Sequence, residues 1–187
     1  MSTKHRQRGI SLIELIMFIV IVSVGIAGIL SVMNVTTKAS ADPLIRKQAL
    51  AIAESLLEEI ELQPFTYCDP GDAKALTAVN AADCAVPANS EDGLPAAARV
   101  SNVAQRDAAN VADYNNFAMT PIRDISGTQI NGLAAYSVSV AISQVGDTFA
   151  PVVAKNDVLQ IDVRVVSGNT DITLTGYRFR YAPNALP

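Results

Sequence analysis

The chain has 187 residues, of which 50% are hydrophobic, 17% are charged and 5% are aromatic, and its net charge is −4. This length indicates about one folded domain and argues against a multidomain enzyme or a membrane barrel. The basic residues form no stripe, which argues against nucleic acid as a partner.

The charge is unevenly distributed along the chain. Residues 1–9 contain Lys4, Arg6 and Arg8 and no acid, a charge of +3, whereas the other 178 residues carry −7. Residues 15–33 have no formal charge, and a helix of that length spans roughly 28 Å, close to the thickness of a bilayer core. We therefore predict a transmembrane helix with a cytoplasmic N-terminus and an extracytoplasmic C-terminal part.

Three fates are open to a basic leader followed by an apolar run. A secretory signal peptide has a possible cleavage site after Ala41, in Ala39-Ser40-Ala41, and an uncleaved signal anchor is the second possibility. The apolar run is longer than the roughly 7–15 residues of a signal-peptide core, and neither fate explains Glu14 at its start. The third fate is cytoplasmic processing within the leader.

A small residue, an apolar residue and a single acid stand at fixed spacing before the apolar run, in the segment RGISLIEL of residues 8–15. This segment resembles the prepilin signature of type IV pilins and type II secretion pseudopilins. The resemblance implies that a membrane-embedded prepilin peptidase cleaves between Gly9 and Ile10 and that the new amine of Ile10 is methylated. Residues 1–9 are then a leader, and residues 10–35 form the transmembrane and filament-core helix.

Glu14 needs a cationic partner if it is buried, because an unpaired carboxylate in an apolar helix is costly. The resemblance implies that this partner is the N-terminal amine of a neighbouring subunit, which makes Glu14 an assembly residue. The other interpretation is that Glu14 only reaches the lipid headgroups. Ile10 stands where the family usually has Phe or Met, and the apolar run has no proline, which favours a minor pilin or a pseudopilin.

An amphipathic helix is predicted over residues 36–63. Asp42 and Pro43 form a good helix start, apolar residues recur at three- and four-residue steps from Ile45 to Ile60, and Pro64 ends the pattern. The two helical segments are expected to meet at a kink or short break near residues 41–43. Residues 42–60, and more weakly the segment VADYNNF of residues 111–117, resemble minor pilins of the mannose-sensitive haemagglutinin (MSHA) type.

Residues 64–135 lose this periodicity and are predicted to be a variable, surface-displayed loop region with short helical turns within residues 96–112. Cys68 and Cys84 are the only cysteines, and in an oxidising compartment a local disulfide between them is the expected state, with two unrelated thiols as the alternative. Asp69, Asp72 and Asp83 flank this loop, but their spacing matches no EF-hand, so no metal site is predicted.

Residues 136–187 are predicted to form an antiparallel β-sheet. Apolar residues alternate with polar ones in two segments, 136–143 and 159–165, and Ser167-Gly168-Asn169-Thr170 is a hairpin turn. In the last segment the apolar phase slips at Gly176, which predicts a β-bulge there. An antiparallel sheet packed on a long N-terminal helix is an α+β fold of the type IV pilin-like kind.

The sequence does not favour enzymatic activity. The only histidine, His5, lies in the leader, so no Ser-His or Cys-His catalytic system can form after cleavage. The sequence contains no dinucleotide, P-loop or zinc motif, and we predict neither catalytic residues nor a cofactor.

The resemblance implies a minor type IV pilin, most like the MSHA type, that acts in pilus assembly or initiation or at the tip, with adhesion as an alternative role. Its implied partners are other pilin subunits, the prepilin peptidase, the inner-membrane assembly platform and, before assembly, membrane lipid. The implied location is the bacterial inner membrane and then the pilus. The alternatives are a minor pseudopilin of a type II secretion system and a secreted periplasmic module cleaved after Ala41.

Overall fold

The computed structural model describes residues 11–95, 98–100, 110–149, 151 and 153–184. The chain divides into two compact units, Met1–Leu44 and Ile45–Pro187. One α-helix, α1, extends over Leu12–Glu61, so each unit contains part of it. The second unit adds four strands: β1 (Ala118–Met119), β2 (Ser137–Gln144), β3 (Val158–Ser167) and β4 (Thr170–Phe179).

Helix α1 continues through the position where a second helix was expected to begin. Asp42 and Pro43 both have helical backbone, so the predicted helix start and short break at residues 41–43 are wrong, and the kink that was the alternative stays a prediction. Proline removes one hydrogen bond and its ring crowds the carbonyl four residues earlier, but the main-chain hydrogen bonds of the turns on either side can hold the helix together. The helix ends at Glu61, shortly before Pro64.

In the second unit, α1 buries one stripe of side chains. Ala49, Ala53, Leu56 and Ile60 are nearly or wholly inaccessible and recur at steps of four, three and four residues, which places them on one face of a helix. The two alanines add little bulk, so the main chain of the helix can approach the sheet closely. Charged residues such as Glu54 and Glu58 remain exposed on the other faces.

The four strands form one antiparallel sheet in the order β1-β2-β3-β4, with each strand beside its neighbour in sequence. In β2 and β3, buried and accessible residues alternate as the period of two predicts, and the core side chains are Val138, Val140, Ile142, Ile161, Val163 and Val165. These residues share one core with the helix stripe. The predicted α+β, pilin-like arrangement of a long helix on an antiparallel sheet is confirmed.

The β-bulge predicted at Gly176 is wrong. The pairing of β3 with β4 is regular from Val158 opposite Phe179 to Ser167 opposite Thr170. Gly176 faces the helix, where an added Cβ would collide with the Glu61 carboxylate and lie 2.9 Å from a Leu57 methyl group. The alternation of core-facing residues therefore continues from Ile172 and Leu174 to Gly176. The sequence pattern is interrupted there only because glycine has no side chain.

The apolar residues after Gly176 belong to the other face of the sheet. Tyr177 and Phe179 are half-exposed there, and both make edge contacts with Phe149, at ring-centroid distances of 5.7 and 5.3 Å. The sheet also begins earlier than residue 136, because Ala118 and Met119 pair with β2.

Much of the segment predicted as a surface loop is packed. Phe65, Cys68, Ala78, Phe117 and Ile122 are all buried. Short 3-10 helices occur at Ala81–Asp83, Pro87–Asn89 and Val111–Tyr114. The last lies partly within the residues where helical turns were predicted, although residues 96–97 and 101–109 lie outside the described part of the chain.

Candidate functional site

The first half of α1 is apolar over most of its surface. Over Leu12–Asn34 the helix is long and apolar enough to cross a membrane, and none of its 23 residues is buried within the chain. At about 1.5 Å per residue this segment is roughly 34 Å long, slightly more than a bilayer core. The large apolar side chains therefore require an environment that the described residues do not supply.

Glu14 is the only charged residue in this apolar segment and lies in the first turn of α1. The helix begins at Leu12, and the N–H of Leu15 donates to the carbonyl of Ser11 at 3.1 Å. A negative charge is favourable near the first turn, where main-chain N–H groups point out of the helix. The predicted processing residues Gly9 and Ile10 lie outside the described residues.

Small residues interrupt the apolar surface one turn or more after Glu14. The hydroxyl of Ser23 donates to the carbonyl of Ile19 at 2.7 Å, so its polarity is satisfied within the helix. A Cβ added at Gly25 or Gly28 would meet no atom within 4 Å. These positions leave shallow openings in a surface of otherwise large side chains, of the kind that helices use to approach one another in membranes.

In the second unit, Cys68 and Cys84 form a disulfide, with sulfur atoms 2.10 Å apart and Cα atoms 5.6 Å apart. Both residues are buried, with Ala75 and Ala78 packed beside them. This small cluster is separate from the core between helix and sheet. The bridge thus lies inside a packed part of the region predicted as a loop. We call this part, built around Cys68, Ala75, Ala78 and Cys84, the disulfide lobe.

Asp72 organises this disulfide lobe. Its carboxylate accepts hydrogen bonds from the N–H groups of Lys74, Ala85 and Val86 and from the side-chain amide of Asn89. The hydrogen bonds from Lys74 and then Ala85 are the main reason that the pKa of Asp72 is lowered to about 2. Because these donors use its lone pairs, Asp72 serves as a structural cap for the loop.

Asp69 and Asp83, the other two acids weighed for calcium, also cap turns. Asp69 accepts from the N–H of Gly71 at 2.7 Å, and Asp83 accepts from the N–H of Val79 at 3.0 Å. Among the described residues, one group of carboxylates has the spacing to hold a metal ion. It does not contain all three of these acids. That group combines Asp69 with two acids from elsewhere in the chain.

The VADYNNF segment anchors the disulfide side of the unit to α1. Val111–Tyr114 is a buried 3-10 helix with a capping box. The Asn110 side chain accepts from the main-chain N–H of Asp113, and the Asp113 side chain accepts from the main-chain N–H of Asn110. The hydroxyl of Tyr114 donates to Glu59 Oε1 at 2.8 Å. The acid and the tyrosine of this motif are therefore structural residues that fasten the loop to the helix.

A second group of charges, which sequence analysis did not find, lies around Arg99. Its Nη1 donates to Glu91 Oε1 at 2.5 Å and to Asp113 Oδ1 at 3.2 Å. Burial and the neighbouring charge of Asp113 raise the pKa of Glu91 to about 8, and burial also raises the pKa of Asp113. The acids are 22 residues apart in the sequence, so no local pattern indicates that they meet.

Arg180, which follows β4, is buried against two rings that precede the disulfide. Its guanidinium carbon lies 4.3 Å from the ring centroid of Phe65 and 4.9 Å from that of Tyr67, and its Nη2 donates to the Glu91 carbonyl at 3.0 Å. Burial lowers the pKa of Arg180. This contact joins the last strand to the disulfide lobe, and a single arginine after a strand gives no sequence signal for it.

One face of α1 in the second unit also lines an open apolar groove. The groove has a volume of about 460 Å³. Ala51, Ile52 and Ser55 line it from the helix, and Ile122 and Ile125 line it from the segment after β1. The second half of the helix therefore has one face in the core and part of another along a cavity.

Comparison with known proteins assigns the N-terminal segment. Residues 4–30 match the family model described as the prokaryotic N-terminal methylation motif. No curated protein and no solved structure matches the chain. The matched residues include the basic leader, Gly9, Ile10, Glu14 and the first half of the apolar helix. The motif supports a type IV pilin-like family and implies processing by a peptidase, anchoring in a membrane and assembly with other pilin subunits.

Proposed function

We propose that the protein is a minor type IV pilin subunit, most similar to those of the MSHA type, with an assembly role and no catalytic one. The observation that carries this proposal is the coincidence of the methylation motif at residues 4–30 with an exposed apolar helix that contains one acid, Glu14. A plain membrane anchor needs the helix but neither the motif nor the acid.

The proposed pathway begins in the inner membrane. The basic leader stays in the cytoplasm, residues 12–34 cross the bilayer, and the disulfide-containing unit folds on the oxidising side. Prepilin peptidase removes residues 1–9, and the new amine of Ile10 is methylated. Lipid covers the apolar helix until the subunit enters the filament, where helices of neighbouring subunits replace the lipid.

Glu14 then controls the register of the added subunit. A carboxylate costs about 2.5–3.5 kcal/mol at the centre of a membrane helix on insertion scales and less near the end, where Glu14 lies. Burial among the helices of a filament removes its contact with water, so a cationic partner is favoured there. The amine of Ile10 on a neighbouring subunit supplies that partner. Most other side chains on residues 12–34 are apolar and give little directional preference, so one ion pair can select a single axial position.

The second unit supports subunit contacts of a different kind. Its α1 segment lines the 460 Å³ groove, and half-exposed aromatic side chains lie on the open face of β4. In the proposed role, these surfaces contact neighbouring subunits when the protein initiates assembly or occupies the tip, where it would also act in adhesion.

The proposal is tested first by the N-terminus of the protein purified from membranes of its native host. Intact-mass and N-terminal peptide mass spectrometry should give a chain that starts at methylated Ile10. A chain that starts at Asp42 would establish a periplasmic module released after Ala41, and one that retains Met1 would establish a simple anchor. Either of these results would overturn the assembly mechanism.

The assembly role of Glu14 is tested by Glu14→Gln, which keeps the size of the side chain and removes its charge. We expect this variant to be cleaved normally but to disappear from sheared filaments. Glu54→Gln, at an exposed acid in the packed half of α1, is the matched control and should enter filaments like the natural chain. Normal incorporation of Glu14→Gln would contradict the proposed pairing.

The nearest alternative is a minor pseudopilin of a type II secretion system, which carries the same N-terminal motif. Crosslinking in intact cells followed by purification of the tagged full chain separates the two. Recovery of pilins supports the pilus assignment, and recovery of secretion components without pilins supports the alternative.

A further inference from the structure

Three carboxylates from separate segments converge beside the disulfide lobe. Asp69, Glu91 and Asp113 each place a carboxylate oxygen within 4.8 Å of the other two. Glu91 and Asp113 are only 1% and 3% exposed, whereas Asp69 is partly accessible. Acids at a protein surface gather without consequence, but two of these are in the interior, where like charges repel more strongly.

The main chain fixes this arrangement. Cys68 and Ser90 form an isolated antiparallel β-bridge, and the N–H of Glu91 donates to the Tyr67 carbonyl at 2.9 Å, which holds Asp69 and Glu91 on adjacent segments. Asp113 is held by its capping box, where its Oδ2 accepts from the N–H of Asn110 at 2.9 Å. The three acids therefore lie on pre-positioned backbone.

The described residues leave this cluster incompletely satisfied. Arg99 is the cation bonded to it, and its Nη1 reaches Glu91 Oε1 and Asp113 Oδ1. The other oxygen of Glu91, Oε2, is buried and has no hydrogen-bond partner among the described residues. A buried carboxylate oxygen without a partner, placed among other carboxylates, is costly, so the arrangement favours a bound cation.

We propose that Asp69, Glu91 and Asp113 bind a calcium ion. The three carboxylate oxygens lie within 4.8 Å of one another, so one Ca²⁺ ion with oxygen ligands at about 2.3–2.6 Å can bind all three. Its flexible coordination tolerates acids on a fixed backbone better than the near-octahedral geometry that Mg²⁺ demands. The divalent ion offsets the repulsion among the carboxylates and gives Glu91 Oε2 a partner. Water completes the coordination, and Arg99, whose side chain is 41% exposed, can turn outward when the ion enters.

This site goes beyond the proposed pilin function and does not depend on it. Its test uses the full chain in detergent micelles, stripped with EDTA, and measures calcium uptake by isothermal titration calorimetry together with the thermal unfolding midpoint. We expect one Ca²⁺ per chain, a higher midpoint with Ca²⁺, and a smaller rise with the same concentration of Mg²⁺.

Asp69→Asn is the informative variant, because Asp69 is the most accessible of the three acids and its replacement leaves the buried pair in place. We expect it to lower calcium affinity by at least roughly tenfold, since even a change beside a metal ligand has about that effect. Asp83→Asn is the control in the same disulfide lobe and should bind as the natural chain does. Near-UV circular dichroism checks that both variants are folded.

Absence of calcium uptake by the natural chain would overturn the proposal. Equal affinity in the natural chain and in Asp69→Asn, or an equal loss in Asp83→Asn, would overturn it as well. Both readouts are taken on purified protein, so failure of the calcium site and failure of the pilus assignment are distinguishable.

Discussion

The two halves of α1 have the same backbone conformation for different reasons. Residues 12–34 are apolar on every side and bury nothing within the chain, whereas residues 45–61 carry a single apolar stripe that packs on the sheet. The first half is stabilised by whatever surrounds the protein, and the second half by the protein's own core. Amphipathicity thus distinguishes a helix that belongs to a domain from one that belongs to a membrane or a filament.

The largest expected effect on this contrast comes from the same substitution made in each half. Ile60→Ala removes a side chain that is 0% exposed and should lower the free energy of unfolding of the second unit by about 2–5 kcal/mol. Ile21→Ala, at a residue 67% exposed, should leave that free energy unchanged. Urea unfolding of the full chain in detergent, followed by near-UV circular dichroism, measures both.

Equal losses in the two variants would contradict the contrast, because Ile21 would then contribute to the folded core. A free energy of unfolding that is unchanged in both variants would also contradict it, because the stripe at Ile60 would then not support the domain.

The second prediction asks how far the packed half depends on the disulfide lobe. Replacing Cys68 and Cys84 together by alanine should cost about 3 kcal/mol, because the bridge closes a loop of 15 intervening residues in the unfolded chain. The loss should appear in the urea transition of the second unit. Denatured, unreduced natural protein should show no free thiol by colorimetric titration, and two free thiols would refute the bridge.

The third and smallest effect depends on pH. Asp72 has a pKa of about 2 in the folded protein against 3.8 without its hydrogen bonds, so its ionised form stabilises the fold above pH 4. This contribution should diminish as the pH falls from about 4 to 2 and should be absent below that range. Asp72→Asn should therefore be less stable than the natural chain at pH 6, and the difference should shrink as the pH approaches 2.

Thermal unfolding from pH 7 to pH 2 measures the difference between the two chains. Asp147→Asn, at an exposed acid after β2, is the control and should follow the natural chain at every pH. A difference between Asp72→Asn and the natural chain that does not change with pH would mean that Asp72 acts through its shape and not its charge.

Periodic patterns predicted the regular elements well, because each depends on burial of one face. The alternation around Val140 and Ile161 gave β2 and β3, and the recurrence from Ala49 to Ile60 gave the packed half of the helix. The two residues of β1 are too few to show a period. The β-bulge at Gly176 was predicted wrongly because a glycine that lets the helix approach the strand cannot be distinguished, in sequence, from a break in the strand.

The polar sites also divide into those that could be predicted from the sequence and those that could not. The N-terminal motif is contiguous, so its residues could be recognised from their spacing, and the match at residues 4–30 supports that part of the prediction. The cluster of Asp69, Glu91 and Asp113 could not be predicted, because only the folded chain brings these segments together. Arg180 is the same case, since nothing near it in the sequence indicates its stack on Phe65.

The order of the strands determines when, during synthesis, the apolar stripe of α1 becomes fully covered. The last strand, β4, supplies Ile172 and Leu174 to the core that covers the stripe on α1, yet it is made after everything else in the sheet. At ribosomal rates of about 5–20 residues per second, the roughly 120 residues between Glu61 and Phe179 take about 6–24 seconds to appear. For that interval the nascent helix stripe lacks its final cover and is open to off-pathway association, so the end of the chain, not its beginning, completes protection of the domain.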